Sequence, residues 1–61
     1  MLHTAFKKSL DEQKGVTLYL RGGQTIAMVV TQVNTDKTIE GRNQEYDFIA
    51  VHVGDISAAA I

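Results

Sequence analysis

The sequence contains no cysteine among its 61 residues. This absence excludes disulfide bonds, which often stabilise domains of this size, and zinc sites built from thiolates. A chain this short buries only about 60% of its unfolded surface and is marginally stable by itself. It is nevertheless too apolar to be disordered, since 44% of its residues are hydrophobic. We therefore expect one small folded domain, residues 1–61, that gains stability by associating with copies of itself.

A surplus of basic residues is also missing. The chain has six lysine and arginine residues against seven aspartate and glutamate residues, and its net charge is −1. Proteins that contact many phosphate groups need lysine and arginine for the purpose. The charge therefore argues against extensive nucleic-acid contact.

Long apolar segments are absent as well. The longest wholly apolar run, Ile26–Val30, is far too short to span a bilayer. Near the N-terminus, Lys7 and Lys8 interrupt the region where a signal peptide has its apolar core. The sequence therefore predicts a cytoplasmic protein with no membrane partner.

The strongest structural pattern runs from Val16 to Val33. Apolar residues alternate with Thr17 and Tyr19 at the start of this stretch, a period typical of a half-buried strand. Gly22 and Gly23 suit a two-residue type I′ turn, in which both central residues have positive φ. Residues 25–33 then form a second strand, so the stretch predicts a β-hairpin. The triplet at 21–23, Arg-Gly-Gly, is also found in RNA-binding tails, but here we interpret it as the turn.

The residues before the hairpin predict an N-terminal helix over residues 1–14. Leu2, Phe6 and Leu10 recur at every fourth position and form one narrow apolar stripe. Gly15 is placed to end the helix in the left-handed conformation. Because so short a helix is marginal alone, its stripe must pack on the rest of the fold.

Three more strands are predicted after the hairpin, at 38–40, 46–53 and 56–61, separated by polar and glycine-containing turns. Short strands joined by short turns after one helix predict a mainly β fold. We expect an N-terminal α-helix followed, over residues 16–61, by a five-stranded and strongly bent antiparallel barrel.

The last predicted strand carries no charge and no proline, so nothing blunts its edge. If the fourth strand of one copy pairs with the fifth strand of another, each contact is head-to-tail, and such contacts close into a ring when the rotation allows. The interface residues expected from this pairing are Val51, Val53, Ile56, Ala58 and Ala60.

The segment Val-Thr-Leu-Tyr-Leu-x-x-Gly at residues 16–23 resembles the first strand of the bacterial Hfq-type members of the Sm-like family. Phe6-x-x-x-Leu10 resembles the end of their helix, and Ile56-Ser57 resembles the start of their fifth strand. The sequence also departs from the family: Met28 stands where a glycine that bends the second strand is usual, and Asp36 stands where Hfq has a stacking aromatic residue.

The resemblance implies an Sm-like, SH3-like barrel and a homo-oligomeric ring of about five to seven copies. It also implies an RNA-binding or RNA-chaperone-like module, with single-stranded RNA as a partner bound at a central pore by two loops. The corresponding residues here are Asn34, Thr35, Asp36, Lys37, His52 and Gly54. The alternative is a structural or protein-interaction ring that has the same fold and binds no RNA, which the net charge favours.

No motif for catalysis, or for a metal or cofactor, stands out. Histidine, serine and aspartate residues are present, but no spacing links them into a hydrolytic triad. His52 and Asp55 are half a metal site at most, and we interpret His52 as a structural or pore-facing residue. The sequence therefore predicts a protein that is not an enzyme and that needs neither metal nor cofactor.

Overall fold

The computed structural model describes residues 2–61, with side chains from His3 onward. It has one helix, five strands and a short 3-10 turn. In chain order these are α1 (Leu2–Glu12), β1 (Gly15–Leu20), β2 (Thr25–Val33), β3 (Thr38–Arg42), β4 (Ile49–His52), the 3-10 turn (Val53–Asp55) and β5 (Ile56–Ala60). The strands form one open antiparallel sheet in the order β4-β3-β2-β1-β5. The prediction of a mainly β fold with an N-terminal helix and five antiparallel strands is confirmed.

The hairpin of β1 and β2 has the predicted strands but a different turn. Leu18 pairs with Ile26 and Val16 with Met28, and β2 has the predicted bounds. Only Gly23 has a positive φ, of 85°. The Gly23 N–H donates to the Leu20 carbonyl at 3.0 Å, and the Leu20 N–H donates to the Gln24 carbonyl at 2.8 Å. The type I′ prediction was therefore wrong, because a three-residue loop with one left-handed glycine joins the strands.

Helix α1 ends earlier than predicted. Gln13, not Gly15, adopts the left-handed conformation, with φ 55°, and Gly15 already belongs to β1. The Lys14 N–H donates to the Ser9 carbonyl at 3.2 Å, which is the closing bond of a Schellman motif. The Gln13 amide adds a bond to the Leu10 carbonyl at 2.9 Å. These two bonds satisfy carbonyls at the helix end and allow a non-glycine residue in the left-handed position.

The apolar stripe of α1 packs on the sheet, as predicted. Phe6 is 0% exposed and Leu10 is half-buried, while the Leu2 side chain lies outside the described part of the chain. The helix contacts β2, β1 and β5. The rest of the core comes from the inward faces of the strands and comprises Val16, Leu18, Met28, Val30, Ile39, Ile49 and Ile56. Within residues 2–61, no helix has the length and apolar character needed to cross a membrane.

Ser9 connects the helix to the sheet beside Gly15, where β1 begins. Its side chain is fully buried. The hydroxyl donates to the Lys14 carbonyl and accepts the Val30 N–H at 3.0 Å. β1 begins at Gly15, opposite Val29, so no residue of β1 lies opposite Val30 to accept its N–H. The serine therefore supplies the hydrogen bond that β1 would otherwise have provided.

The fourth strand is shorter than predicted. It covers Ile49–His52 only, and Tyr46 and Phe48 lie in the preceding loop with 57% and 65% of their surfaces exposed. The Asn43 carboxamide oxygen accepts the N–H groups of Glu45 and Tyr46, at 2.9 and 2.8 Å. Because this side chain holds residues 43–46 in a turn, they cannot extend alongside β3.

The Met28 side chain of β2 reaches Gly41 of β3, although the register partner of Gly41 is Val30. A Cβ atom at Gly41 would overlap the methyl group of Met28 and the carbonyl oxygen of Val29. The Met28 side chain is buried and needs space on the neighbouring strand. The glycine at 41 supplies that space.

Candidate functional site

The two loops predicted to form a site lie side by side. The Val53 N–H donates to the Lys37 carbonyl at 2.8 Å, and Thr38 is paired with His52 across β3 and β4. The turn at 34–37 therefore adjoins the segment 52–55. We call these residues, 34–37 and 52–55, the loop cluster. All the residues predicted to bind RNA belong to this cluster. The two loops are neighbours because β3 pairs with β4.

The Asn34 side chain makes hydrogen bonds to its neighbours with both its amide nitrogen and its amide oxygen. Its amide nitrogen donates to the Thr38 hydroxyl at 3.0 Å and to a Glu40 carboxylate oxygen at 2.8 Å. Its amide oxygen accepts from Gln32. Asn34 is only partly exposed. To contact a ligand with its amide it would have to exchange one of these internal bonds, so its first role is to shape the turn.

Asp36 is an exposed carboxylate held in place by Thr38. One of its oxygens accepts the Thr38 hydroxyl at 2.6 Å and the Thr38 N–H at 3.2 Å. The hydroxyl bond is the main cause that lowers the pKa of Asp36 below its usual value, and the nearby imidazole of His52 lowers it to a smaller degree. Asp36 therefore adds a negative charge to the cluster at neutral pH.

His52 starts the 3-10 turn between β4 and β5. Its Nδ1 accepts the Gly54 N–H at 3.0 Å, so Nδ1 carries no proton in this arrangement. The imidazole is exposed. Gly54 is close to that ring, since a Cβ at this position would lie 3.0 Å from Nδ1. Gly54 therefore allows His52 to cap the turn.

Arg21 also reaches the loop cluster, which the sequence did not indicate. Its side-chain Nε donates to the Gly54 carbonyl at 2.8 Å, and its backbone N–H donates to the Asp55 carbonyl at 2.9 Å. The 3-10 turn thus contacts Lys37 at its start and Arg21 at its end. Both side chains are exposed, so the cluster presents two cations as well as Asp36. No local pattern indicates this contact, because Gly54 lies 33 residues further along the chain.

The predicted interface residues lie on the two edge strands or beside them, but their side chains differ in exposure. Ile56 is 5% exposed and belongs to the core, and Val51 and Val53 are half-buried against it. Ala58 and Ala60 are exposed. The side chain of Ile56 therefore serves the single chain first, whereas the alanines of β5 lie on an uncovered surface.

Both edge strands, β4 and β5, have backbone N–H and C=O groups that point outward in the plane of the sheet, away from the neighbouring strand. Successive residues of β1 direct their backbone groups alternately towards β2 and β5, and Leu20 bonds Gln24 of the β2 side. Tyr19 and Thr17 therefore direct theirs towards β5, where they lie opposite Ala58 and Ala60. The backbone groups of Ala59 then point outward. The same reasoning, starting from the bond between the Asn34 N–H and the Thr38 carbonyl, directs those of Ala50 and His52 outward from β4.

Among residues 2–61, no three histidine, aspartate or glutamate side chains lie close enough to hold a metal ion together. Ser9, one of the nucleophile types noted in the sequence, is buried and hydrogen-bonded within the fold.

Comparison of the chain with protein-family models, with curated proteins and with solved structures found no match. The site must therefore be interpreted from its own geometry and from the resemblance of its residues.

Proposed function

We propose that the chain is a cytoplasmic Sm-like subunit, that it assembles through β4 and β5 into a closed homo-oligomeric ring, and that the ring binds single-stranded RNA at its loop clusters. In this proposal the open sheet bends into an Sm-like barrel. The observation that carries the proposal is the strand order β4-β3-β2-β1-β5, in which β4 and β5 are the two edges of one sheet.

Both edges are suited to pairing with another strand. Ala59 on β5 and Ala50 and His52 on β4 direct backbone groups outward, and neither strand contains a proline or a charged residue. Ala58 and Ala60 are exposed and small, so a neighbouring backbone can approach closely. The two edges are different surfaces, hence the contact is head-to-tail and can close into a ring.

Assembly would bring many loop clusters together. Each subunit contributes Lys37 and His52 within its loop cluster and Arg21 bonded to it, and repetition multiplies contacts that are individually weak. Lysine and arginine can meet phosphates, and an exposed imidazole can stack on a base. A subunit with a net charge of −1 can bind RNA measurably by this route, with modest affinity and a strong salt dependence.

Proline substitutions test the assembly. Ala59→Pro removes an outward N–H and leaves the bonds between β1 and β5 in place, so we expect a folded chain that no longer assembles. Ala58→Pro is the matched control, because its N–H points towards β1, and it should unfold the chain. Sedimentation and circular dichroism report the two properties separately. A ring that survives Ala59→Pro intact would contradict pairing through β5.

Fluorescence anisotropy with labelled U-rich and A-rich oligonucleotides at low salt tests the RNA site. Lys37→Ala and Arg21→Ala should each weaken binding and reduce its salt dependence, whereas Lys8→Ala, an exposed lysine on the helix, should not. His52→Gln should also weaken binding, because an exposed imidazole can stack on a base and a carboxamide stacks less well. No binding at tens of micromolar protein would refute the RNA function.

A ring without RNA is the second candidate function. The net charge of −1 favours it, and so does Asn34, whose amide is already bonded within the loop. It predicts a stable assembly that binds neither oligonucleotide. The same two experiments therefore distinguish the candidates.

A further inference from the structure

An open groove lies on the molecule away from the loop cluster. It encloses about 650 Å³ between the first residues of β2 and the loop that follows β3. One wall is formed by Thr25–Ala27 and the other by Asn43–Tyr46. This volume falls within the roughly 300–1,000 Å³ that is usual for ligand clefts.

The β2 wall of the groove is a strand without a neighbour on one side. Strand β3 pairs with β2 only from Val29 onward, so no strand among residues 2–61 lies beside Thr25–Ala27 on that side. The alternation along the hairpin points the backbone groups of Thr25 and Ala27 away from β1 and into this space. The Ala27 carbonyl already accepts the Asn43 side-chain amide, so the Ala27 N–H and both backbone groups of Thr25 remain for pairing with an extended peptide.

Asn43 holds the groove open. Its amide nitrogen donates to the Ala27 carbonyl at 2.9 Å, while its amide oxygen caps the turn at residues 45 and 46. The distance between the two walls is thus set by bonds within the chain. A ligand would meet a groove that is already formed, and the cost of ordering it would be small.

The groove's side chains indicate the chemistry of its ligand. Leu20, Ile26 and the exposed ring of Tyr46 give it an apolar surface, and Glu45 adds a carboxylate. No lysine or arginine lines it. A nucleic-acid backbone would find no cation there, whereas a lysine or arginine side chain would find both a carboxylate and an aromatic face.

We propose that this groove binds an extended segment of a partner protein, apolar and basic in composition, which adds as a short strand beside Thr25–Ala27. The backbone of β2 supplies hydrogen bonds. Leu20, Ile26 and Tyr46 receive an apolar side chain, and Glu45 receives a basic one. The site is independent of the loop cluster and of assembly through β4 and β5.

The test uses the full chain labelled with ¹⁵N and the peptide acetyl-Lys-Val-Thr-Val-Lys-amide as the probe. We expect amide shifts at residues 25–27 and 43–46 on titration to about 1 mM peptide, and slower hydrogen exchange at Ala27. Tyr46→Ala should weaken binding about fivefold. Phe48→Ala is the matched control, an exposed aromatic residue of the same loop that does not line the groove, and should bind as the wild type does.

Two further peptides separate strand addition from other modes of binding. A peptide N-methylated at the central threonine and both valines keeps the side chains but loses backbone donors, and we expect it not to bind. A peptide with glutamate in place of both lysines should bind more weakly to the wild type and better to Glu45→Lys. Absence of shifts at residues 25–27, or equal binding of the N-methylated peptide, would overturn the proposal.

Discussion

Replacement of Ser9 by alanine tests the account of how the helix is joined to the sheet. The Ser9 hydroxyl accepts the Val30 N–H at 3.0 Å and donates to the Lys14 carbonyl. Alanine removes both bonds while preserving helix propensity. The substitution therefore isolates the hydrogen bonds from the packing of α1.

The expected loss of stability follows from the surroundings of the two partners. Lys14 is an exposed residue and its bond from Ser9 is only partly buried, so we expect water to replace the hydroxyl at its carbonyl. Val30 is fully buried, and its N–H would remain without an acceptor. Such a group costs about 1–3 kcal/mol. For a chain of 61 residues the whole stability is about 3–9 kcal/mol, so the loss should be large relative to the total.

Urea unfolding followed by circular dichroism measures the difference, at one protein concentration because assembly would make stability depend on it. Ser57→Ala is the control. Its hydroxyl donates to the Tyr19 carbonyl at 2.9 Å in an exposed setting, and we expect a change within about 0.5 kcal/mol. A Ser9→Ala chain as stable as the Ser57→Ala chain would refute the role given to the serine.

Three further substitutions test the core and the loop cluster. Phe6→Ala should destabilise the chain by about 3–5 kcal/mol, since the ring is fully buried, and a change under 0.5 kcal/mol in urea unfolding would mean that α1 packs loosely. Gly41→Ala should cost about 1–3 kcal/mol in the same assay, and Met28→Ala should restore only part of it, because the Val29 carbonyl still obstructs the new Cβ. Asp36→Asn concerns acid stability: the lowered pKa of Asp36 gives stability that is present above the usual aspartate pKa of about 3.9 and is lost as the pH falls through the folded value. The wild type should therefore lose more stability than Asp36→Asn when unfolding midpoints are compared at pH 7 and pH 2.5, and equal losses would contradict this.

The sequence predicted the strands best where hydrophobic periodicity was regular. β2 has the predicted bounds, and the alternation from Val16 to Leu20 places Val16 and Leu18 in the core and exposes Tyr19. The apolar stripe of the helix likewise predicted the burial of Phe6. In these cases one period decides both the element and the face that it buries.

The ends of helices and strands were predicted less well where local hydrogen bonds set them. The helix ends at Glu12 because Gln13 is left-handed and Lys14 closes a Schellman motif, and glutamine carries no sequence signal for the left-handed conformation. The fourth strand begins late because the Asn43 side chain caps the preceding turn. Such bonds depend on geometry that a pattern of apolar and polar residues does not contain.

The candidate site was predictable only in part for the same reason. The approach of the two loops follows from the order of the strands. Arg21 joins them through a bond to Gly54, 33 residues further along the chain, and no local pattern indicates so distant a contact.

Native mass spectrometry of the unmodified protein at micromolar concentration decides whether the chain forms the closed ring proposed above. We expect a single dominant species of about five to seven copies, absent in Ala59→Pro. A monomer as the dominant species of the unmodified protein would contradict it.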